Sequence, residues 1–138
     1  MKRLLVGMIL AAGTLCAELD WIGYDEALTR AEDDGKIVMV MLSQEGCDAC
    51  WYMDEVVFED ENVAAEIEMD FIPVHFDIKK DTIPKQFTYI GTPTFYFLTA
   101  QGDKIERLNG AANVKDFTDY IRDVKAKVKE NNKKIATP

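Results

Sequence analysis

Two cysteines three residues apart, in Cys47-Asp48-Ala49-Cys50, are the residues whose type and spacing could do chemistry in this 138-residue chain. On a helix, positions i and i+3 share a face and lie close enough for a disulfide that closes a very small ring. At a helix start, the first thiol faces unpaired backbone N–H groups and the positive end of the helix dipole. Both favour its thiolate, which is the nucleophile. Cys47 is therefore expected to attack, and Cys50, one turn further in, to resolve the mixed disulfide. Two quieter roles fit the same spacing, half of a zinc site or an inert crosslink. Zinc needs two further ligands, and apart from Cys16 near the N-terminus the chain offers only one histidine, His75. An inert crosslink over so short a loop adds little stability. No metal and no bound cofactor is expected, only a redox-active disulfide.

The elements that must hold this pair follow from the apolar pattern. Asp25 to Asp34 reads as a helix with Ala27, Leu28 and Ala31 on one side, stopped by Gly35. Lys36 to Leu42 is an apolar run of strand length, the pattern of a central strand covered on both faces. Ser43 to Gly46 breaks it, helical sequence begins near Cys47, and Asp60 to Glu68 continues helically. Phe71 to Ile78 is a second strand, and Ile83 to Tyr89 is expected to form a short helix opened by Pro84. Thr94 to Leu98 and Lys104 to Leu108 are strands joined by a turn at Ala100-Gln101-Gly102-Asp103. Asn113 can cap a last helix carrying Val114, Phe117, Ile121, Val124 and Val128 on one stripe. The polar residues after Glu130 (131–138) are expected to fray as a tail. A strand–helix–strand unit feeding an antiparallel hairpin makes an α/β fold, a mixed central sheet with helices on both faces.

The first 17 residues form a separate region. Lys2 and Arg3 precede the apolar run Leu4 to Ala12, and smaller residues lead to Ala17 before Glu18. This is the layout of a secretory signal cleaved after Ala17, and the apolar run is short for a membrane span, so an uncleaved N-terminal anchor is the lesser alternative. Cys16 raises the alternative of a lipid-anchored form, against which the bulky Leu15 before it counts. The domain is then expected over residues 18–130, in the periplasm. A formal net charge of −9 argues against nucleic acid as a partner. An exported chain with one close cysteine pair is not disulfide-dense, so the pair is expected to serve chemistry rather than stability.

With the pair placed after an apolar strand, the sequence resembles the thioredoxin superfamily over about residues 20–128. Four features carry the resemblance, in order: strand Lys36–Leu42, the Cys47–Cys50 motif, Gly91-Thr92-Pro93-Thr94 before an aromatic strand, and Gly110 before the last helix. The stretch from Trp21 through Phe58 to Asp77 is most similar to exported thioredoxin-like proteins. The resemblance implies that Pro93 is a cis-proline opposite the cysteines, with Thr92 offering its backbone to an incoming peptide. Gly46 and Trp51, which flank the motif, complete the substrate-facing set.

Departures from the family are equally informative. Gly46 stands where thioredoxins usually carry tryptophan. Met41 occupies the place of their buried acid and cannot accept a proton. His75 falls about where they carry a lysine beside that acid, so its imidazole is a candidate proton shuttle to Cys50, or simply a strand histidine with a satisfied hydrogen bond. Asp48 and Ala49 replace Gly-Pro, and a carboxylate beside Cys47 opposes its ionisation, leaning the pair towards reduction.

The leading expectation is a monomeric reductase or exchange enzyme for protein thiols and disulfides, recycled by a membrane electron donor or acceptor. Oxidase or isomerase work is the alternative within that class. A binding module, either chaperone-like or a copper carrier using both thiols, His75 and methionines such as Met39, Met41, Met53 and Met69, is the alternative outside it. Core filling is the simpler role for the two methionines in the central strand.

Overall fold

The computed structural model describes residues 18–136. The expected signal segment, with Cys16, lies outside the described residues, as do the last two residues of the expected tail. The order is α1 (Tyr24–Asp34), β1 (Ile37–Ser43), α2 (Asp48–Tyr52), a π-helical turn (Met53–Val57), α3 (Glu61–Asp70), β2 (Phe71–Asp77), β3 (Thr94–Leu98), β4 (Lys104–Asn109) and α4 (Val114–Ala136). The sheet runs β2-β1-β3-β4, with β1 parallel to β2 and antiparallel to β3, and β3 antiparallel to β4.

Every residue of β1 is buried, as its uninterrupted apolar run requires of a central strand. Alternation divides it between two cores. Met39 and Met41 pack with Phe95, Phe97, Phe58, Phe117 and Ile121 on the face covered by the helices after the cysteines and by α4. Val38, Val40 and Leu42 pack with Ala27, Ala31, Tyr96 and Phe87 on the α1 face. Pro73 is tolerated in β2 because that strand is the sheet edge, and its carbonyl takes the Ile22 N–H at 3.2 Å. Asp60 caps α3, its carboxylate accepting from the Asn62 and Val63 N–H groups at 3.0 and 3.1 Å.

Two expectations fail. Residues 83–89 form no helix; one turn bond joins the Phe87 N–H to the Pro84 carbonyl at 2.9 Å. Phe87 is instead drawn into the core against Tyr24, Phe76 and Tyr96, and the Tyr96 hydroxyl donates to the Thr88 carbonyl, which leaves no helical ladder. Tertiary packing overrides a weak local preference here. Nor does the chain fray after Glu130, because α4 runs on to Ala136 with its last residues exposed. A Glu130–Lys134 ion pair and the lysines of the last turn, which face the negative helix end, favour that extension.

Candidate functional site

β1 ends at Ser43, and Gly46, at φ +76°, turns the chain into the helix, a backbone state that side-chain-bearing residues rarely adopt. Cys47 follows as the N-cap of α2 with extended backbone, and its Sγ accepts the Cys50 N–H at 3.1 Å. The two cysteines are joined in a disulfide with Cα atoms 5.2 Å apart. They are not equivalent. Cys47 is half-buried, whereas Cys50 is 3% exposed and packs in the core cluster with Met41, Met53 and Phe95. An incoming group meets Cys47 first. A sulfur that accepts a backbone N–H bond is also the one on which negative charge is best tolerated.

The loop before β3 faces Cys47 from the other side. The Thr92 hydroxyl donates to Cys47 Sγ at 3.4 Å, and the Thr92 carbonyl oxygen lies 3.5 Å from the same sulfur. The Thr92–Pro93 peptide bond is cis. The turn is held by Thr94 Oγ1 donating to the Gly91 carbonyl at 2.7 Å and by the Gly110 N–H donating to the Pro93 carbonyl at 2.8 Å. The Gly91–Pro93 turn, tied to Gly110 through the Pro93 carbonyl, thus brings Thr92 to Cys47, 45 residues away in sequence.

Beside the disulfide opens a cleft of about 400 Å³, lined by Ser43, Cys47, Cys50, Trp51, Asp54 and His75 among others. Met41 lies directly across from His75 in the β1–β2 register but is fully buried. His75 is exposed, with Nε2 2.5 Å from Ser43 Oγ and its ring edge-on to Trp21 at 5.7 Å between centroids. Asp54, four residues after Cys50 and so on the same helical face, lines this cleft too. Burial holds its carboxyl above the usual carboxylate range, a rise opposed by nearby His75 and reinforced by Glu55. Asp54 was not among the expected site residues. The i+4 spacing from Cys50 is the signal that points to it.

Of the remaining candidates, Trp51 is 61% exposed beside the cleft rather than packed onto the sheet, and Asp48 and Ala49 are exposed at the helix start. Met39, Met41 and Met53 are fully buried in the core cluster that also holds Cys50, the core-filling role, and Met69 is exposed. Among the described residues, no group of three or more His, Cys, Asp and Glu side chains is arranged to hold a metal ion.

A helix-capping cysteine pair at the end of a β1 strand, facing a loop that enters an antiparallel hairpin, defines a thioredoxin-type centre on a thioredoxin fold. The profile of the thioredoxin-like domain family matches residues 24–125, and the chain belongs to that family. The thiol:disulfide interchange protein DsbD of Yersinia pestis is 26% identical over 106 residues. That match takes in 72% of this chain but 18% of the relative, so the chain spans about a fifth of its length. A thioredoxin from Thermus thermophilus superposes with a TM-score of 0.69 at 29% identity, covering 80% of this chain and 89% of that one. The oxidised C-terminal domain of Neisseria meningitidis DsbD shares the fold, with a TM-score of 0.56 at 17% identity over 71% of this chain and 89% of that one. Among the described residues, no helix is long and apolar enough to cross a membrane.

Proposed function

We propose that the protein is a periplasmic thiol–disulfide oxidoreductase that reduces or exchanges disulfides in other proteins. The observation that carries this reading is the asymmetry of the pair, an approachable Cys47 seated against Thr92 and a buried Cys50 beneath it. In the reduced state the Cys47 thiolate attacks one sulfur of a partner disulfide, and the other partner sulfur leaves as a thiolate. The partner segment lies along Thr92 and Pro93 and passes Gly46 and Trp51. Cys50 then gives up its proton and attacks Cys47 Sγ, which releases the second partner thiolate and leaves the Cys47–Cys50 disulfide. Two electrons pass from the dithiol to the partner, so the disulfide itself is the only redox group required.

Met41 cannot take the Cys50 proton. The acceptor is Asp54, which shares a cleft with Cys50, and His75, held at Ser43, serves as the neighbouring relay. Asp48 beside Cys47 biases the pair towards reduction. The residue 1–17 layout supports export, and similarity to part of an interchange protein supports recycling by a membrane redox partner, with the chain acting as a monomer.

The test is a Cys50→Ser protein incubated with extract proteins. It should accumulate mixed disulfides through Cys47 that dithiothreitol releases, and Cys47→Ser should accumulate none through that position. Absence of any adduct on the Cys50→Ser protein overturns the reading. A measured potential as oxidising as that of strong disulfide formers, about −120 mV, overturns the reducing direction alone.

A further inference from the structure

The surface around Cys47 has two unlike sides. On the loop side, the residues leading into Thr92 expose apolar bulk: Ile90 is 92% exposed and Tyr89 is 40% exposed. On the cleft side, Glu45, Asp48, Asp54 and Asp77 line the wall together with the Trp51 indole. Lys80 pairs with Glu45 at 2.8 Å and approaches Asp77 at 3.9 Å. Asp48 and Asp54 have no ion-pair partner among the described residues, and no Lys or Arg lines the cleft. A half-buried carboxylate beside an aromatic face is an environment that attracts a cation and repels an anion. Ile90, two residues before Thr92, is outside both core clusters, so its side chain is free for an apolar contact on the loop that carries Thr92 to Cys47.

We propose that these two sides together select the partner, which is an extended polypeptide segment whose cysteine has a large apolar residue on one flank and a lysine or arginine on the other. The apolar side chain covers Ile90 and Tyr89. The cationic side chain enters the cleft between Trp51, Asp48 and Asp54, so charge complementarity and apolar cover act on either side of one sulfur. This surface rests on the redox reading above, since it borders the sulfur that reading makes reactive. A net charge of −9 adds a long-range field of the same sign, which speeds the approach of basic partners at low salt.

The test uses the reduced full chain and short peptides whose central cysteine is in a mixed disulfide with 2-mercaptoethanol. The peptides carry leucine or serine on one flank and lysine, serine or glutamate on the other, in both orders; hydroxyethyl disulfide is the small reference. Lysine peptides should exceed glutamate peptides about tenfold in kcat/KM at low salt, a gap that narrows as salt screens it. Replacing leucine by serine should cost about fivefold, from loss of part of one apolar contact. Ile90→Ser should narrow the leucine preference and leave the lysine preference in place. Equal rates for all peptides, with hydroxyethyl disulfide still reduced, overturn the surface and spare the redox reading. If hydroxyethyl disulfide is not reduced, the redox reading falls. The surface is then judged by binding of serine-for-cysteine peptides to the oxidised chain: tighter binding of lysine than glutamate peptides supports it, and equal binding overturns it.

Discussion

The irregular stretch 78–93 carries Thr92 and Pro93 to Cys47, and Tyr96→Phe tests what holds it there. Tyr96 lies in β3 with 3% of its surface exposed. Its hydroxyl donates to the Thr88 carbonyl at 2.6 Å and lies 3.3 Å from Thr88 Oγ1. Around Thr88 the further ties are Gln86 donating to the Tyr24 hydroxyl at 2.6 Å, Arg107 reaching Thr88 Oγ1 at 3.5 Å, and the buried Phe87 ring. Phenylalanine keeps the ring, its contact with Phe87 and its volume, so no cavity opens and the transfer term is near zero. What is lost is one short hydrogen bond to a carbonyl that then sits over an apolar ring edge, a loss of about 1–3 kcal/mol.

For a domain of this size each kcal/mol moves Tm by roughly 4 °C, so Tyr96→Phe should melt about 4–12 °C lower, read by circular dichroism. Thr88→Ala is the control, since it keeps the carbonyl bond and removes only the longer contacts of Thr88 Oγ1 with Tyr96 and Arg107; it should shift Tm by less than about 2 °C. With the loop loosened above Cys47, turnover of peptide disulfides should fall more than turnover of a small disulfide. A Tyr96→Phe melt within about 1 °C of the parent would refute the claim that this hydroxyl anchors the loop.

Asp54→Asn should have opposite effects on activity and stability. Resolution of a trapped mixed disulfide should slow about tenfold to a hundredfold, read by stopped-flow thiol release, because asparagine accepts no proton. Burial raises the Asp54 carboxyl above its ordinary value of 3.8 in the folded chain, so its ionised form opposes folding at neutral pH. The asparagine protein should therefore melt higher than the parent at neutral pH, and the difference should vanish as pH falls below 3.8. Asp60→Ala removes the cap of α3 and should cost about 1 kcal/mol in urea unfolding, while kcat/KM for a small disulfide stays unchanged.

What was legible in the sequence depended on how local its cause was. The run Lys36–Leu42 announced a central strand because burial on both faces demands continuous apolar residues, and β1 covers nearly the same positions. Gly35 and the α4 stripe were similarly plain, since each reflects a local backbone or helical-face requirement. Residues 83–89 misled because Pro84 is a fair helix opener, and nothing nearby reveals that Phe87 will be pulled against Tyr24 and Tyr96, distant in the chain. The cleft was legible only in part. The family resemblance puts His75 near the site of the missing acid, but its position across from Met41 and its contact with Ser43 depend on the parallel register. Asp54 was hidden among helix carboxylates whose spacing to Cys50 gained meaning once Met41 proved to be sealed in the core.

On the proposed role of Asp54, the proton acceptor sits in the cleft rather than in the core. A carboxylate behind Cys50 would be shielded from the partner, whereas Asp54 shares its space with whatever side chain enters beside Trp51. A partner ammonium or guanidinium there favours the ionised carboxylate, opposing the rise that burial causes. The base is then ready to take the Cys50 proton while the mixed disulfide exists, and the cation leaves with the partner once Cys50 has attacked. Recognition and resolution thus act through one group. The resolving rate should fall at lower pH in complexes with lysine-flanked peptides than in those with serine-flanked peptides. Stopped-flow resolution across pH measures both midpoints, and coincident midpoints for the two peptides would refute the coupling, even if lysine peptides bind more tightly.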